Sequence, residues 1–197
     1  MSNLTFSQTA ERKIDSLIKI SVSKLKTEGI KELFYIKKYC IGEDRKIDPN
    51  KPTECTTNEV YIEVYIFWKI TNQKWIQKID NCGIFKPIKM NNSECFDFFI
   101  EQNQKLSKET VTKYMTQENK DNNEYLSVVH SCFRFFKFYT KSNTFSKTID
   151  LFDLSSNLDD ENLNYESNKR LKLIRLNTLC NESILEIENS GLLERKE

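Results

Sequence analysis

Glu63, Lys78 and Asp80 are the residues whose types and spacing come nearest to hydrolytic chemistry. Two carboxylates and a lysine on neighbouring strands can hold a divalent metal and position a water against a phosphodiester. Glu63 lies within VYIEVYIFWKI (60–70), and Lys78 and Asp80 lie within KWIQKID (74–80). Glu11 could add a carboxylate from a helix. A second pairing is His130, the single histidine, with Cys132. Side chains at i and i+2 of one strand point in parallel, so this pair is expected to be a half-buried sheet histidine and not an activated thiol.

The third group is cationic and aromatic. FRFFKFYTKSNTFSK (133–147) places Phe133, Phe135 and Tyr139 on one strand face, with Arg134, Lys137 and Lys141 close by. Rings on a sheet with flanking cations can stack bases, although the same pattern also describes a core strand. Lys169, Arg170 and Lys172 form a second basic cluster on a predicted helix, where acidic neighbours suit a solvated face. The fourth group is Tyr61, Tyr65 and Phe67, which alternate along one face of the central strand. Rings that stay exposed often anchor interfaces, so these three are the expected partner-binding surface.

Other chemistries are excluded by spacing. Gly29, Gly42, Gly83 and Gly191 lie far apart, so no phosphate-cradling loop can form from them. Cys40, Cys55, Cys82, Cys95, Cys132 and Cys180 include no C-x-x-C pair, and with one histidine they lack the ligand spacing of a structural zinc site. No cofactor and no metal are expected. The first residues contain no apolar leader, so reduced thiols and a cytoplasmic location are expected.

The elements that must position these residues follow from periodicity. Ile14, Leu17, Ile18, Val22 and Leu25 predict an amphipathic helix over 9–28, closed by Gly29. Residues 31–41 read as a strand, and 42–57 as a long charged loop. Alternation predicts a hairpin over 58–79, with its turn at 71–74. Val60, Ile62, Val64, Ile66, Trp68 and Ile70 make its core face. A helix capped by Asn92 or Ser93 carries Phe96, Phe99 and Ile100, and a second helical piece is expected from Ser107 through Met115. Residues 126–152 read as a second hairpin, turning at 141–144. Leu173, Leu176, Cys180, Ile184 and Ile187 stripe a last helix over 165–189, with a break expected near Asn181.

The order of helix, hairpin and further α/β elements loosely resembles that of PD-(D/E)xK nucleases. That resemblance implies an acidic residue on one strand and E-x-K on the next. Here the return strand carries Gln77, Lys78 and Asp80 instead, so the motif departs where the metal would bind.

The chain has 197 residues, with 30 Lys and Arg against 29 Asp and Glu for a net charge of +1, which argues against a protein that coats nucleic acid. Alanine occurs once (Ala10), while Asn, Lys, Ile and Phe abound, as in coding by an AT-rich genome such as a low-GC bacterium, its phage or a mobile element. No apolar run reaches the roughly 20 residues of a membrane span. The expectation is one α+β domain over 1–197, with loose ends at 1–7 and 192–197. Two hairpins and one further strand form a largely antiparallel sheet, packed by three to four helices. The expected function is a non-catalytic module that binds a protein or ribonucleoprotein, in one form as an inhibitor of a host defence nuclease. A degenerate metal nuclease and an RNA-binding module are the alternatives.

Overall fold

A computed structural model describes residues 3–42, 55, 57, 60–92, 94–122, 124–157 and 160–196, with side chains from residue 11 onward. The long charged loop expected at 42–57 falls almost entirely outside the described residues.

The architecture is α+β. Helix α1 (Asn3–Thr27) leads into β1 (Leu33–Cys40), and β2 (Ile62–Ile70) and β3 (Gln73–Asp80) form the central hairpin. Two short strands follow, β4 (Gly83–Ile84) and β5 (Ile88–Lys89), then α2 (Glu94–Lys108) and α3 (Gln117–Asp121). The second hairpin is β6 (Cys132–Tyr139) and β7 (Thr144–Asp150), and the chain ends with α4 (Tyr165–Lys169) and α5 (Lys172–Asn189). The strands make one antiparallel sheet in the order β4-β3-β2-β1-β6-β7, with β5 also on β3.

Helices lie on both faces of the sheet, although α1 covers its face only over the central strands. On one face, Ile14, Ile18, Val22 and Leu25 of α1 pack on Leu33, Ile62, Val64, Ile66, Trp68 and Ile79. On the other, α2 and α5 enclose Phe34, Ile36, Tyr65, Phe67, Ile76, Phe136 and Phe138. The predicted stripe Leu173, Leu176, Cys180, Ile184 and Ile187 is the buried face of α5. Each such aliphatic side chain removed from water contributes about 1.5–3 kcal/mol.

Several boundaries differ from expectation. The hairpin turn is only Thr71-Asn72, since Ile70 pairs with Gln73. Thr71 takes φ of 53°, the left-handed conformation that a two-residue turn demands. The expected helix over 107–115 stops at Lys108. Beyond it the backbone is held by other elements: Thr112 N donates to Asn168 Oδ1 (2.9 Å) and Tyr114 N to Asp153 Oδ1 (2.8 Å). Those long-range bonds replace the helical ones. The strand expected from Leu126 begins only at Cys132. The last helix breaks at 170–171, not near Asn181. Residues 192–196 are not a free tail. Lys86 N donates to Glu194 O (2.7 Å), Lys196 N donates to Ile84 O (2.8 Å), and Arg195 bridges to Phe85.

The cysteines also depart from expectation. Cys40 is bonded to Cys132 and Cys55 to Cys82, while Cys95 and Cys180 are free and buried. Cys40 and Cys132 face each other across the β1–β6 ladder, although 92 positions separate them in sequence. Disulfides persist in oxidising surroundings, which stands against the reduced thiols expected above. No helix among the described residues is long and apolar enough to cross a membrane.

Candidate functional site

The strand register assembles the first group of predicted residues. Lys38 on β1 lies opposite Glu63 on β2 and Arg134 on β6, and Glu63 lies opposite Asp80 on β3. Four charged residues thus form a row across four strands, all on the α5 side of the sheet. Tyr65 and Lys78 pair in the next row. Lys78 Nζ lies 3.1 Å from Glu63 and 2.7 Å from Glu188 of α5, and Tyr65 Oη donates to Glu188 at 2.6 Å. Tyr61 Oη sits 3.3 Å from both Glu63 and Asp80.

Asp80 is fully buried. Arg195 donates both guanidinium nitrogens to its two oxygens at 2.7 Å, and the amides of Cys82 and Gly83 donate to Oδ1 at 2.9 and 3.2 Å. Arg195 also lies 4.3 Å over the Phe85 ring. Burial pushes the Lys38 ammonium pKa down, opposed by Glu63. Burial pushes the Tyr65 phenol well up, helped by Glu63 and Glu188, so it stays a hydrogen-bond donor.

The structure therefore brings Glu63, Lys78 and Asp80 together, but with both carboxylates held by cations, Glu63 by Lys78 and Asp80 by Arg195. A hydrolytic metal needs carboxylate oxygens facing open coordination positions. Here Lys78 holds Glu63 and Glu188, and Arg195 holds Asp80 bidentately. Cys55, Asp80 and Cys82 also cluster within 4.8 Å of one another, but the two sulfurs are bonded to each other. These residues fit an ionic clasp that fixes α5 and the C-terminal segment to the sheet.

The exposure expected of Tyr65 and Phe67 is not found. Tyr65 and Phe67 are fully buried, and Phe67 stacks on Phe34 at 4.7 Å. α2 and α5 cover the face that their alternation presents. Tyr61 is half-buried and belongs to the clasp. His130 precedes β6, is exposed and lies over Gly42, while Cys132 is bonded to Cys40. The half-buried sheet histidine expected at position 130 is instead exposed and outside the strand.

The second hairpin is different. α1 crosses β2 and β3, so the same face of β6 and β7 lies beyond its cover. Phe133, Phe135, Lys137 and Tyr139 on β6 are half-buried there, Phe135 and Tyr139 against the α1-side core, and Thr144, Ser146 and Thr148 opposite them on β7 are exposed. The rings join rings on β1: Tyr39 stacks on Phe133 at 5.3 Å, and Tyr35 meets Phe135 at 6.1 Å. Lys26 of α1 lies 4.1 Å over the Tyr139 ring. Lys37 is buried and neutralised by Glu11 (3.0 Å) and Asp15 (3.4 Å) of α1. Between α1 and this ring row runs a cleft of about 370 Å³, lined by Lys19, Lys26, Tyr35, Lys37, Phe135 and Tyr139, with Asp15 at its wall. Burial raises the phenols of Tyr35, Tyr39 and Tyr139, so these hydroxyls remain neutral donors at physiological pH.

The other predicted cations scatter. Arg134 faces the clasp on the opposite side, and Lys141 sits at the turn, 3.6 Å from Glu32. Lys169, Arg170 and Lys172 lie at the α4–α5 junction in the opposite helical layer, where Lys169 covers Tyr165 at 4.6 Å. The sequence analysis missed Lys19 and Lys26: their seven-residue spacing puts both on one flank of α1, but nothing local says which strand that flank meets.

No protein-family model matches the chain, and no match is found among curated proteins or solved structures.

Proposed function

We propose that the protein is a non-catalytic binding module and that its ligand is single-stranded RNA, free or as the exposed strand of a ribonucleoprotein. The observation that carries this reading is the β6–β7 face beyond α1, where Phe133, Phe135 and Tyr139 are half-buried with one edge to solvent beside Lys137 and Lys26, and Thr144, Ser146 and Thr148 are exposed. Rings on a sheet stack bases, and flanking ammonium groups meet phosphates. The clasp supports the non-catalytic part, because its carboxylates are already held by Lys78 and Arg195. Engagement of the RNA of a host defence nuclease is the form of inhibition that such a surface suits.

Fluorescence anisotropy with a short labelled oligouridylate tests the reading. Affinity should fall as salt rises. Phe133→Ala with Phe135→Ala should weaken binding about ten-fold or more, at about 1–3 kcal/mol per stacked base. Charge reversal at Lys169, Arg170 and Lys172 should leave it unchanged, since that cluster lies across the sheet. No binding at low salt, or salt-independent capture of a protein in place of RNA, would overturn the reading.

A further inference from the structure

We infer that the cleft between α1 and the β1–β6 ring row is a single-nucleotide subsite, which receives one base on Tyr139 and its phosphate between Lys19 and Lys26. This rests on the RNA-binding reading and locates where the strand is gripped.

Three observations place it there. The first is size: about 370 Å³ falls at the small end of the roughly 300–1,000 Å³ typical of small-molecule sites, which suits one nucleotide and not a longer segment. The second is chemistry. Tyr35, Phe135 and Tyr139 supply flat apolar walls, while one flank of α1 brings Lys19 and Lys26 to the rim. Lys37 is already neutralised by Glu11 and Asp15, whereas Lys19 and Lys26 have no carboxylate within ion-pair distance among the described residues. Glu11 and Asp15 outweigh Lys37 by one charge, so with Lys19 and Lys26 the cleft keeps a net charge of +1, placed at its rim where a phosphate would sit. The third is the position of Lys26. Its ammonium lies 4.1 Å over Tyr139, against the ring face that a base would stack on. A long flexible side chain can leave that face when a base arrives and meet the attached phosphate instead. The Tyr35 hydroxyl has no hydrogen-bond partner among the described residues, and it offers a neutral donor to a base edge.

The cleft also continues the open face. Phe135 and Tyr139 belong both to the cleft and to the ring row that runs on to Phe133. A strand lying along β6 would thus place one nucleotide in the cleft and its neighbours on the platform.

The experiment titrates uridine monophosphate and a short oligouridylate separately into the full chain by calorimetry. The variants are Lys19→Glu with Lys26→Glu, Tyr139→Leu, and Phe133→Ala. The mononucleotide should bind the unmodified protein. The lysine pair and Tyr139→Leu should each lose about ten-fold or more of that affinity, and Phe133→Ala should lose none. The oligonucleotide should respond to all three. Oligonucleotide binding that ignores both cleft variants would overturn the subsite and leave the RNA reading standing. Mononucleotide binding lost in the lysine variant, without oligonucleotide binding, would keep the subsite and overturn the RNA reading. Absence of both would remove both. Tyr139→Leu is scored only if its melting temperature is retained, and the exposed lysine pair carries the test otherwise.

Discussion

At the residue scale, the clasp shows how carboxylates that read as catalytic become structural. Asp80 is fully buried and receives two backbone amides and a bidentate arginine. Removing one partner of a buried ion pair leaves an uncompensated charge, so Arg195→Ala should cost about 3–5 kcal/mol in a urea melt. The double variant Asp80→Ala with Arg195→Ala should lose less than the sum of the two single variants, since neither charge is then stranded. A second expectation concerns alkaline pH. Tyr65, Tyr35, Tyr39 and Tyr139 all have folded pKa values above the ordinary 10.0, chiefly through burial. Above pH 10 the unfolded chain releases these protons while the folded chain keeps them. Stability is therefore complete below pH 10 and falls as pH rises past it. Melting curves at successive alkaline pH values should show that decline, and Tyr65→Phe should make it shallower.

At the element scale, long-range hydrogen bonds decided what local pattern could not. Val111, Tyr114 and Met115 have helical spacing, yet 109–116 is irregular because Asn168 and Asp153 take its amides. Asn168 is buried, and its Nδ2 also donates to Thr112 O (2.7 Å) and Asp153 O (3.1 Å). Asn168→Ala strands several polar groups at about 1–3 kcal/mol each, and thermal melting should register a loss of at least about 2 kcal/mol. By contrast, the stripe on α5 and the alternation of β2 were legible, because one residue's neighbours at i+3, i+4 or i+2 already define a face. The reading of β2 failed on its second face alone. Tyr65 and Phe67 alternate with the apolar set, and only the arrival of α2 and α5 makes that face interior.

At the scale of the whole molecule, two disulfides tie distant segments. Cys40–Cys132 closes a loop of 92 residues, which in the chain-entropy account is worth about 4–5 kcal/mol. Alkylation of denatured, unreduced protein should label two of the six cysteines, Cys95 and Cys180, and all six after reduction. Reductant should lower the melting temperature by the stability of both bonds. The sequence by itself determined the α+β class, the two hairpins and the buried stripes of α1 and α5. Each of these depends on residue types a few positions apart. Only the tertiary structure decided that helices dock on both sheet faces, that Glu63 and Asp80 are held by Lys78 and Arg195, which cysteines pair, and that the uncovered face belongs to β6–β7. Those outcomes depend on register and on where α1, α2 and α5 dock, and contacts between residues tens of positions apart leave no periodic mark in the chain.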